Sequence, residues 1–225
     1  GYATMFTGAP MDFMYASIPA ADGQAIGGLQ RAGFDVVSGE AVAVNKDPRT
    51  NLARSNLLRV TDLVYERLQE ATTIVSGCEH SNRLLYDPAF DARRTRKLVR
   101  QRLLRRLSDG DSRCLMALEG SGKLSGLAVC GNDSGLQAVA GCRLASLDNL
   151  CLNGTARPAI VERFLVHSAV GELADRGFEG VVSRILMNGS PSCARLESMQ
   201  KTGFEITQSN LILHKWFRKA GRKSA

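Results

Sequence analysis

The sequence lacks the features that mark a disulfide-rich, metal-binding or membrane-spanning protein. None of its six cysteines forms a C-x-x-C pair, the spacing typical of metal clusters and redox centres. Its apolar runs, such as residues 124–129, are far shorter than the roughly 20 residues that cross a bilayer. We find no signal-peptide pattern. We therefore expect a cytoplasmic protein with reduced thiols, no metal site and no membrane span.

Acidic residues are missing from the two most basic segments. The chain has 29 basic and 22 acidic residues, for a formal net charge of +7. Residues 93–106 contain eight basic residues, and residues 215–223 contain five more. The rest of the chain is consequently net acidic, which disfavours a uniformly basic nucleic-acid binder. A chain of 225 residues, 44% of them hydrophobic, is long enough to bury a large core.

One segment recurs at long range. Residues 29–37 read LQRAGFDVV and residues 199–207 read MQKTGFEIT, so the two copies are separated by 170 positions. Three of the nine positions are identical, and five more are conservative. In both copies a glycine follows a helix-like stretch, as in a left-handed helix cap, and a phenylalanine then begins a strand-like stretch. The pattern indicates a duplicated structural unit.

Hydrophobic periodicity predicts an α/β chain. The predicted helices cover residues 22–32, 57–71, 91–107, 158–176 and 190–202. The predicted strands cover residues 13–18, 35–44, 74–78, 113–118, 123–129, 147–152, 180–187 and 204–216.

This order of segments resembles the GCN5-related N-acetyltransferase (GNAT) fold. The resemblance rests on the hairpin MALEGSGKLSGLAV, the strand SLDNLCL, the helix end ADRGFEGV and the segment MQKTGFEI. The segments MYASIPAADGQAIGGLQRAGF and HSNRLLYDPAF are similar to the TDP-fucosamine acetyltransferase type, in which an incomplete GNAT-like half precedes a complete domain. The resemblance implies a mixed α/β sheet, an incomplete half at 1–78, an acyltransferase domain at 79–217 and a basic tail at 218–225.

The resemblance also implies a reaction, in which an amine of a small acceptor attacks the thioester of acetyl-CoA or another acyl-CoA. A nucleotide-linked molecule is one candidate acceptor, and an acyl carrier protein is an alternative acyl donor. The positions that the resemblance assigns to pantetheine binding are Asn149, Leu150, Cys151 and Leu152. Those assigned to the pyrophosphate are Gly154, Thr155, Ala156 and Arg157. Asn188 stands where the family has an asparagine that contacts the cofactor.

Five side chains are candidates for proton transfer. Asp148 and His80, with Glu79 beside it, could accept the proton of the amine. The family's usual general acid is a tyrosine, but this chain has Met199 at that position, so Cys193 or His214 could protonate the thiolate. The pyrophosphate loop also differs from the family pattern R/Q-x-x-G-x-G/A. A non-catalytic GNAT-like binding or scaffold module is therefore the alternative function.

The basic segment at 93–106 admits several interpretations. Its cations could be a solvated helix face, or they could bind an acyl carrier protein, a phosphate-bearing substrate or an anionic membrane surface. We expect Arg100, Arg102 and Arg106 to carry any such binding. A nucleic-acid binder that uses this helix is a third possibility, and it predicts steeply salt-dependent binding to duplex DNA.

Overall fold

The computed structural model describes residues 13–48, 58–77, 91–108, 112–132, 137–138, 141–155, 157–187 and 190–217. The strands are β1 (Phe13–Pro19), β2 (Asp35–Asn45), β3 (Leu58–Asp62), β4 (Ser112–Glu119), β5 (Leu124–Asn132), β6 (Leu144–Leu152), β7 (Gly180–Leu186) and β8 (Glu205–Trp216). The helices are α1 (Gly23–Arg31), α2 (Leu68–Gly77), α3 (Ala92–Ser108), α4 (Pro158–Asp175) and α5 (Ser190–Gln200).

Within the described segments the strands form one eight-stranded sheet. Its order is β1-β8-β2-β7-β6-β5-β4-β3. Strands β6 and β7 run parallel, and the other neighbouring pairs are antiparallel. The sheet is therefore mixed, as predicted from the sequence.

Both faces of the sheet are covered around β4, β5 and β6. On one face, Leu165 and Leu173 of α4 and Met199 of α5 pack in a core with Leu147 of β6. On the other face, the apolar side of α2 packs against β4 and β5, and Leu104 of α3 packs at the edge of this second core. Among the described segments, no helix combines the length and the apolar character needed to cross a bilayer.

The structure corrects the sequence prediction for residues 58–77. Residues 58–62 form β3 rather than a helix, and Val60 and Thr61 pair with Ala117 and Met116 of β4. Residues 74–77 belong to α2 rather than to a strand. The period of the apolar residues in Leu-Leu-Arg-Val-Thr-Asp-Leu fits either structure, so the available partner strand decides the outcome. The remaining predicted elements overlap the observed ones.

The repeat in the sequence is also a repeat in the sheet. Strands β2 and β8 pair antiparallel about the central pair Glu40↔Asn210, whose numbers differ by the same 170. The register on one side of this pair mirrors the register on the other, including a skipped residue in each strand, Val37 and Thr207. Strand β1 lies beside β8 and β7 lies beside β2. A pseudo-two-fold axis through Glu40 and Asn210 thus relates β1–α1–β2 to β7–α5–β8.

The two repeats end their helices in the same way. Gly33 has φ +84° and Gly203 has φ +88°, the left-handed conformation that favours glycine. The Phe34 N–H donates to a carbonyl in α1 at 3.0 Å, and the Phe204 N–H donates to the corresponding carbonyl in α5 at 3.1 Å. The caps that the sequence predicted are therefore present in both copies.

Equivalent side chains hold each cap to the opposite repeat. Asn45 Nδ2 at the end of β2 donates to the Thr202 carbonyl at 3.2 Å. Lys215 Nζ near the end of β8 donates to the Ala32 carbonyl at 2.6 Å. Both residue pairs are related by the offset of 170, although asparagine and lysine share no chemistry beyond an N–H donor.

Candidate functional site

The parallel strands β6 and β7 separate halfway along their length. Their pairing begins at Leu144↔Gly180 and ends at Leu147↔Ser183. Both strands continue beyond that point, to Leu152 and to Leu186. The sheet consequently opens into a fork between β6 and β7, with backbone polar groups along both sides.

A β-bulge lies where the fork opens. On β5, Val129 pairs with Asn149 and the adjacent Cys130 pairs with Leu147, so Asp148 is the extra residue of β6. Bulges change the direction of a side chain and are frequent next to active sites. Asp148 is thus brought to the start of the fork.

The Asp148 carboxylate is paired with a cation from α3. Arg106 donates to Asp148 Oδ2, and its other terminal nitrogen donates to Ser112 Oγ of β4 at 2.9 Å. The side chains of Arg106 and Asp148 are 33% and 26% exposed, so the pair remains open to solvent and to a ligand. Arg106 therefore lies at the fork and not on the exposed face that Arg100 occupies.

The backbone of β6 presents two residues to the fork. The Asn153 N–H donates to the Ser125 carbonyl, on the side of β5, at 2.8 Å. Backbone groups alternate in direction along a strand, so the amides of Leu152 and Leu150 point the other way, toward β7. The side chains of Leu150 and Cys151 are buried in the cores on opposite faces of the sheet. The strand is therefore anchored while its inner edge faces the fork.

The loop after β6 leads directly into α4. Gly154 has φ +48°, and the Arg157 N–H donates to Thr155 Oγ1 at 3.2 Å. Pro158 begins the helix, and in the described chain no side chain caps this helix start. Proline supplies no amide, so this helix start offers fewer N–H donors to an anion than an ordinary one. The exposed Arg157 adds a positive charge beside it.

The other candidates lie elsewhere. Cys193 is exposed on α5, the helix that follows β7. His214 is 2% exposed on β8, where its ring packs edge-to-face against Phe13, and strands β2 and β7 separate it from the fork. Met199 is buried in the core at the end of α5. His80, Glu79, Ala156, Asn188 and the Arg102 side chain lie outside the described residues.

Sequence reasoning missed a buried ion pair between the two helices beside the fork. Arg195 Nε of α5 lies 3.8 Å from Glu162 Oε2 of α4, and both side chains are 10% exposed. Burial raises the pKa of the Glu162 carboxyl, and the Arg195 guanidinium opposes that rise. The only signal for this pair in the sequence was the position of Glu162, a charged residue among the apolar positions of α4.

No family model and no curated protein matches the sequence. Solved structures do match it. A GCN5-related N-acetyltransferase from Sphaerobacter thermophilus gives a TM-score of 0.60 at 15% identity, over 92% of this chain and 60% of that one. A tandem GNAT protein from the clavulanic acid biosynthesis pathway gives 0.60 at 13% identity, over 94% and 65% of the two chains. A GNAT-family acetyltransferase from Colwellia psychrerythraea gives 0.56 at 12% identity, over 90% and 64%.

The chain has the GNAT fold. The predicted fold class, a GNAT fold with a mixed α/β sheet, is therefore confirmed. At these identities the likeness establishes the fold and not the reaction. The chain spans less than two thirds of the length of each of these three proteins.

Proposed function

We propose that this protein is an N-acyltransferase that moves an acyl group from acetyl-CoA or another acyl-CoA to an amine of a small molecule. The fork between β6 and β7 carries this proposal. It combines an open strand edge, a bulge at its start and a helix N-terminus at its far end. A GNAT fold with this opening suits a long, thin ligand that lies along β6.

The residues at the fork fit acyl-CoA. The backbone of Leu152 would hydrogen-bond a pantetheine amide, as an edge strand binds an added strand, and Leu150 belongs to the same proposed cofactor-binding strand. Gly154, Thr155 and Arg157 would hold the pyrophosphate at the start of α4. Asn149, Cys151, Ala156 and Asn188 complete the proposed cofactor-binding set. The thioester supplies the acyl carbon that the amine attacks.

The chain's own residues at the bulge would orient the amine and accept its proton. Asp148 is the carboxylate nearest to the opening of the fork along β6, and Arg106 fixes its direction. A positioned base contributes typically 10²–10⁴-fold to a proton transfer. His80 remains a second proposed base. With Met199 buried, the leaving thiolate would take a proton from solvent or from Cys193, and His214 is a less direct donor because of its distance in the sheet.

The N-terminal repeat supports the proposed relation to the TDP-fucosamine acetyltransferase type. The pseudo-two-fold pairing of β2 with β8 is what a duplicated GNAT-like segment would produce. We therefore retain the proposed units at 1–78, 79–217 and 218–225, with β2 completing the sheet of the second unit. A nucleotide-linked amine is the corresponding proposed acceptor.

Two observations favour alternatives. The buried Met199 and the amide-poor start of α4 favour a GNAT-like binding or scaffold module without catalysis. The exposed Arg93, Lys97 and Arg100 on α3 favour an acidic donor such as an acyl carrier protein. The cytoplasmic location remains a prediction from the cysteine pattern.

Calorimetry and a thiol-release assay test the proposal together. Acyltransferase function predicts saturable binding of acetyl-CoA. It also predicts that acetyl-CoA releases its thiol when a suitable amine is added, and the amines to be offered are hexosamines, nucleotide-linked amino sugars and polyamines. Binding of acetyl-CoA without thiol release in the presence of any of these amines would favour the scaffold alternative. Thiol release from an acylated carrier protein but not from acyl-CoA would instead identify the carrier protein as the acyl donor.

A further inference from the structure

A pocket of about 400 Å³ opens where β3 and β4 meet the turn between β4 and β5. Two arginines line it, Arg59 of β3 and Arg67, which directly precedes α2. Its other lining residues include two leucines and two glycines, Leu58, Leu118, Gly120 and Gly122. Small-molecule sites in proteins have volumes of roughly 300–1,000 Å³, so this pocket is large enough for a small ligand.

The first arginine is directed to the face of the sheet that α2 covers. Val60 of β3 packs against the core with α4, so alternation along the strand directs Arg59 to the opposite face. Leu118, which pairs with Arg59 across the two strands, packs against the core with α2 on that face. Arg59 therefore lies beside a half-buried apolar side chain.

The second arginine is held between a helix and the turn. Arg67 Nη1 lies 3.6 Å from Glu70 Oε2, three residues later in the chain. Arg67 Nη2 lies 4.0 Å from the position that a Cβ would take on Gly122, which has φ +80°. The Arg67 side chain is 33% exposed, so a ligand from solvent can reach it.

The one acid that lines the pocket turns its charge away from the arginines. Glu119 pairs with Leu58, whose side chain packs against the core with α4, so the Glu119 carboxylate is directed to that face. There it accepts a hydrogen bond from Ser125 Oγ at 2.6 Å. Of the described lining residues, the charged side chains on the α2 face are therefore the two arginines, and both are cations.

We propose that this pocket binds the phosphate group of a small molecule other than the cofactor. Guanidinium groups present planar forks of N–H donors that match the oxygens of a phosphate, and Arg59 and Arg67 bring two of them to one pocket. The glycines of the turn keep its wall free of side chains. Leu118 offers an apolar surface to the organic part of the ligand.

The pocket is separate from the fork. It lies on the face that α2 covers, whereas the loop after β6 leads into α4, which covers the other face. Two strand spacings, about 10 Å, separate β4 from β6. The inference consequently does not rest on the proposed function, and it adds a second ligand to the molecule.

A titration of the ¹⁵N-labelled protein with phenyl phosphate at constant ionic strength tests the site. Saturable shifts are expected at the amides of Gly120 and Gly122. The double variant Arg59→Gln with Arg67→Gln is expected to raise the Kd about 10-fold or more, since it removes both charged donors. Lys123→Gln, which removes an exposed cation beside the same turn, should leave the Kd unchanged. An equal Kd in the wild type and the double variant, or no saturable shift at these two amides, would overturn the proposal.

A second pair of variants tests the charge of the pocket without removing an arginine. A Cβ on Gly120 would meet no atom within 4 Å, so substitutions there should leave the fold intact. Gly120→Glu is expected to bind phenyl phosphate more weakly than Gly120→Gln, because the two side chains are similar in size and only one is charged. Equal binding by the two variants would contradict an anion site.

Binding of the cofactor distinguishes this inference from the proposed function. The double arginine variant is expected to bind acetyl-CoA as tightly as the wild type does. If the variant instead loses a wild-type preference for CoA over dephospho-CoA, the pocket holds the cofactor's own phosphate and the proposal is overturned. If the wild type binds phenyl phosphate through the two arginines but does not bind acetyl-CoA, the proposed function fails and the phosphate site stands.

Discussion

Arg106 of α3 and Asp148 of β6 form an ion pair at the point where the parallel strands separate. The pair joins a helix to a β-bulge, and the bond from Arg106 to Ser112 extends it to β4. An arginine that holds both partners fixes the bulge and the direction of the carboxylate together.

Replacement of Arg106 should impair both the fold and the reaction. Arg106→Met removes the partner of Asp148, so we expect stability to fall by roughly 1 kcal/mol and kcat/KM to fall about 10-fold. Arg106→Lys should restore more of the stability than of the rate, because lysine cannot hold two acceptors in a fixed geometry. Urea unfolding and the thiol-release assay measure the two effects.

The matched control for this prediction is Arg105→Met, which removes an exposed cation from the same helix turn. It should leave both quantities unchanged. Equal losses in the two variants would show that the charge of α3, and not the pair with Asp148, is responsible.

The two helix caps should respond alike to alanine. Gly33→Ala and Gly203→Ala force a side chain into the left-handed region, at an expected cost of about 1–2 kcal/mol each. Gly203→Ala should cost slightly more, because the added Cβ would lie 3.3 Å from Asn45 Nδ2. Gly23→Ala, in α1 with open space around it, should be neutral or stabilising. A loss in one cap variant but not in the other would contradict their structural equivalence.

The raised pKa values of two buried thiols predict that the stability of the fold falls at alkaline pH. Burial raises the pKa of Cys114 from 9.0 to about 11 and that of Cys130 from 9.0 to about 12. The unfolded chain releases these protons at lower pH than the folded chain, so stability should decrease as the pH rises from about 9 toward 12. Urea midpoints at pH 8 and pH 10.5 measure the decrease, and a Cys130→Ala variant should show a smaller one. An identical decrease in both proteins would refute the assignment to Cys130.

Removal of one partner of the buried ion pair between Arg195 and Glu162 should strongly destabilise the protein. Arg195→Met leaves the Glu162 carboxylate buried without its cation, at an expected cost of about 3 kcal/mol. The double variant Arg195→Met with Glu162→Leu should recover most of that loss, since it removes the charge as well. A double variant no more stable than Arg195→Met would show that the arginine acts through packing.

Local patterns predicted most of the fold, because helix caps and strand alternation are encoded within a few residues. The Gly-Phe repeat at positions 33 and 203 is the clearest case, and the two strands that follow these glycines, β2 and β8, pair symmetrically in the sheet. Residues 58–62 were mispredicted because their partner strand β4 lies about 55 positions away.

The site was only partly predictable for the same reason. The sequence made Asp148 and the strand after it candidates, but the bulge at Asp148 depends on the register of β6 with β5. The pair of Arg106 with Asp148 joins residues 42 positions apart, and no local pattern marks it. Arg106 was expected to bind an acyl carrier protein, a phosphate-bearing substrate or a membrane surface, and its pair with Asp148 was not predicted.

A titration of the ¹⁵N-labelled protein with acetyl-CoA, followed by amide chemical shifts, tests the central claim most directly. The account predicts saturable shifts at the amides of Leu150, Leu152, Gly154, Thr155 and Arg157, which line the fork and the loop after it. It predicts little change in the amides of β1 and β3 at the two edges of the sheet. Absence of saturable shifts at the fork, or shifts confined to the basic helix α3, would contradict the account.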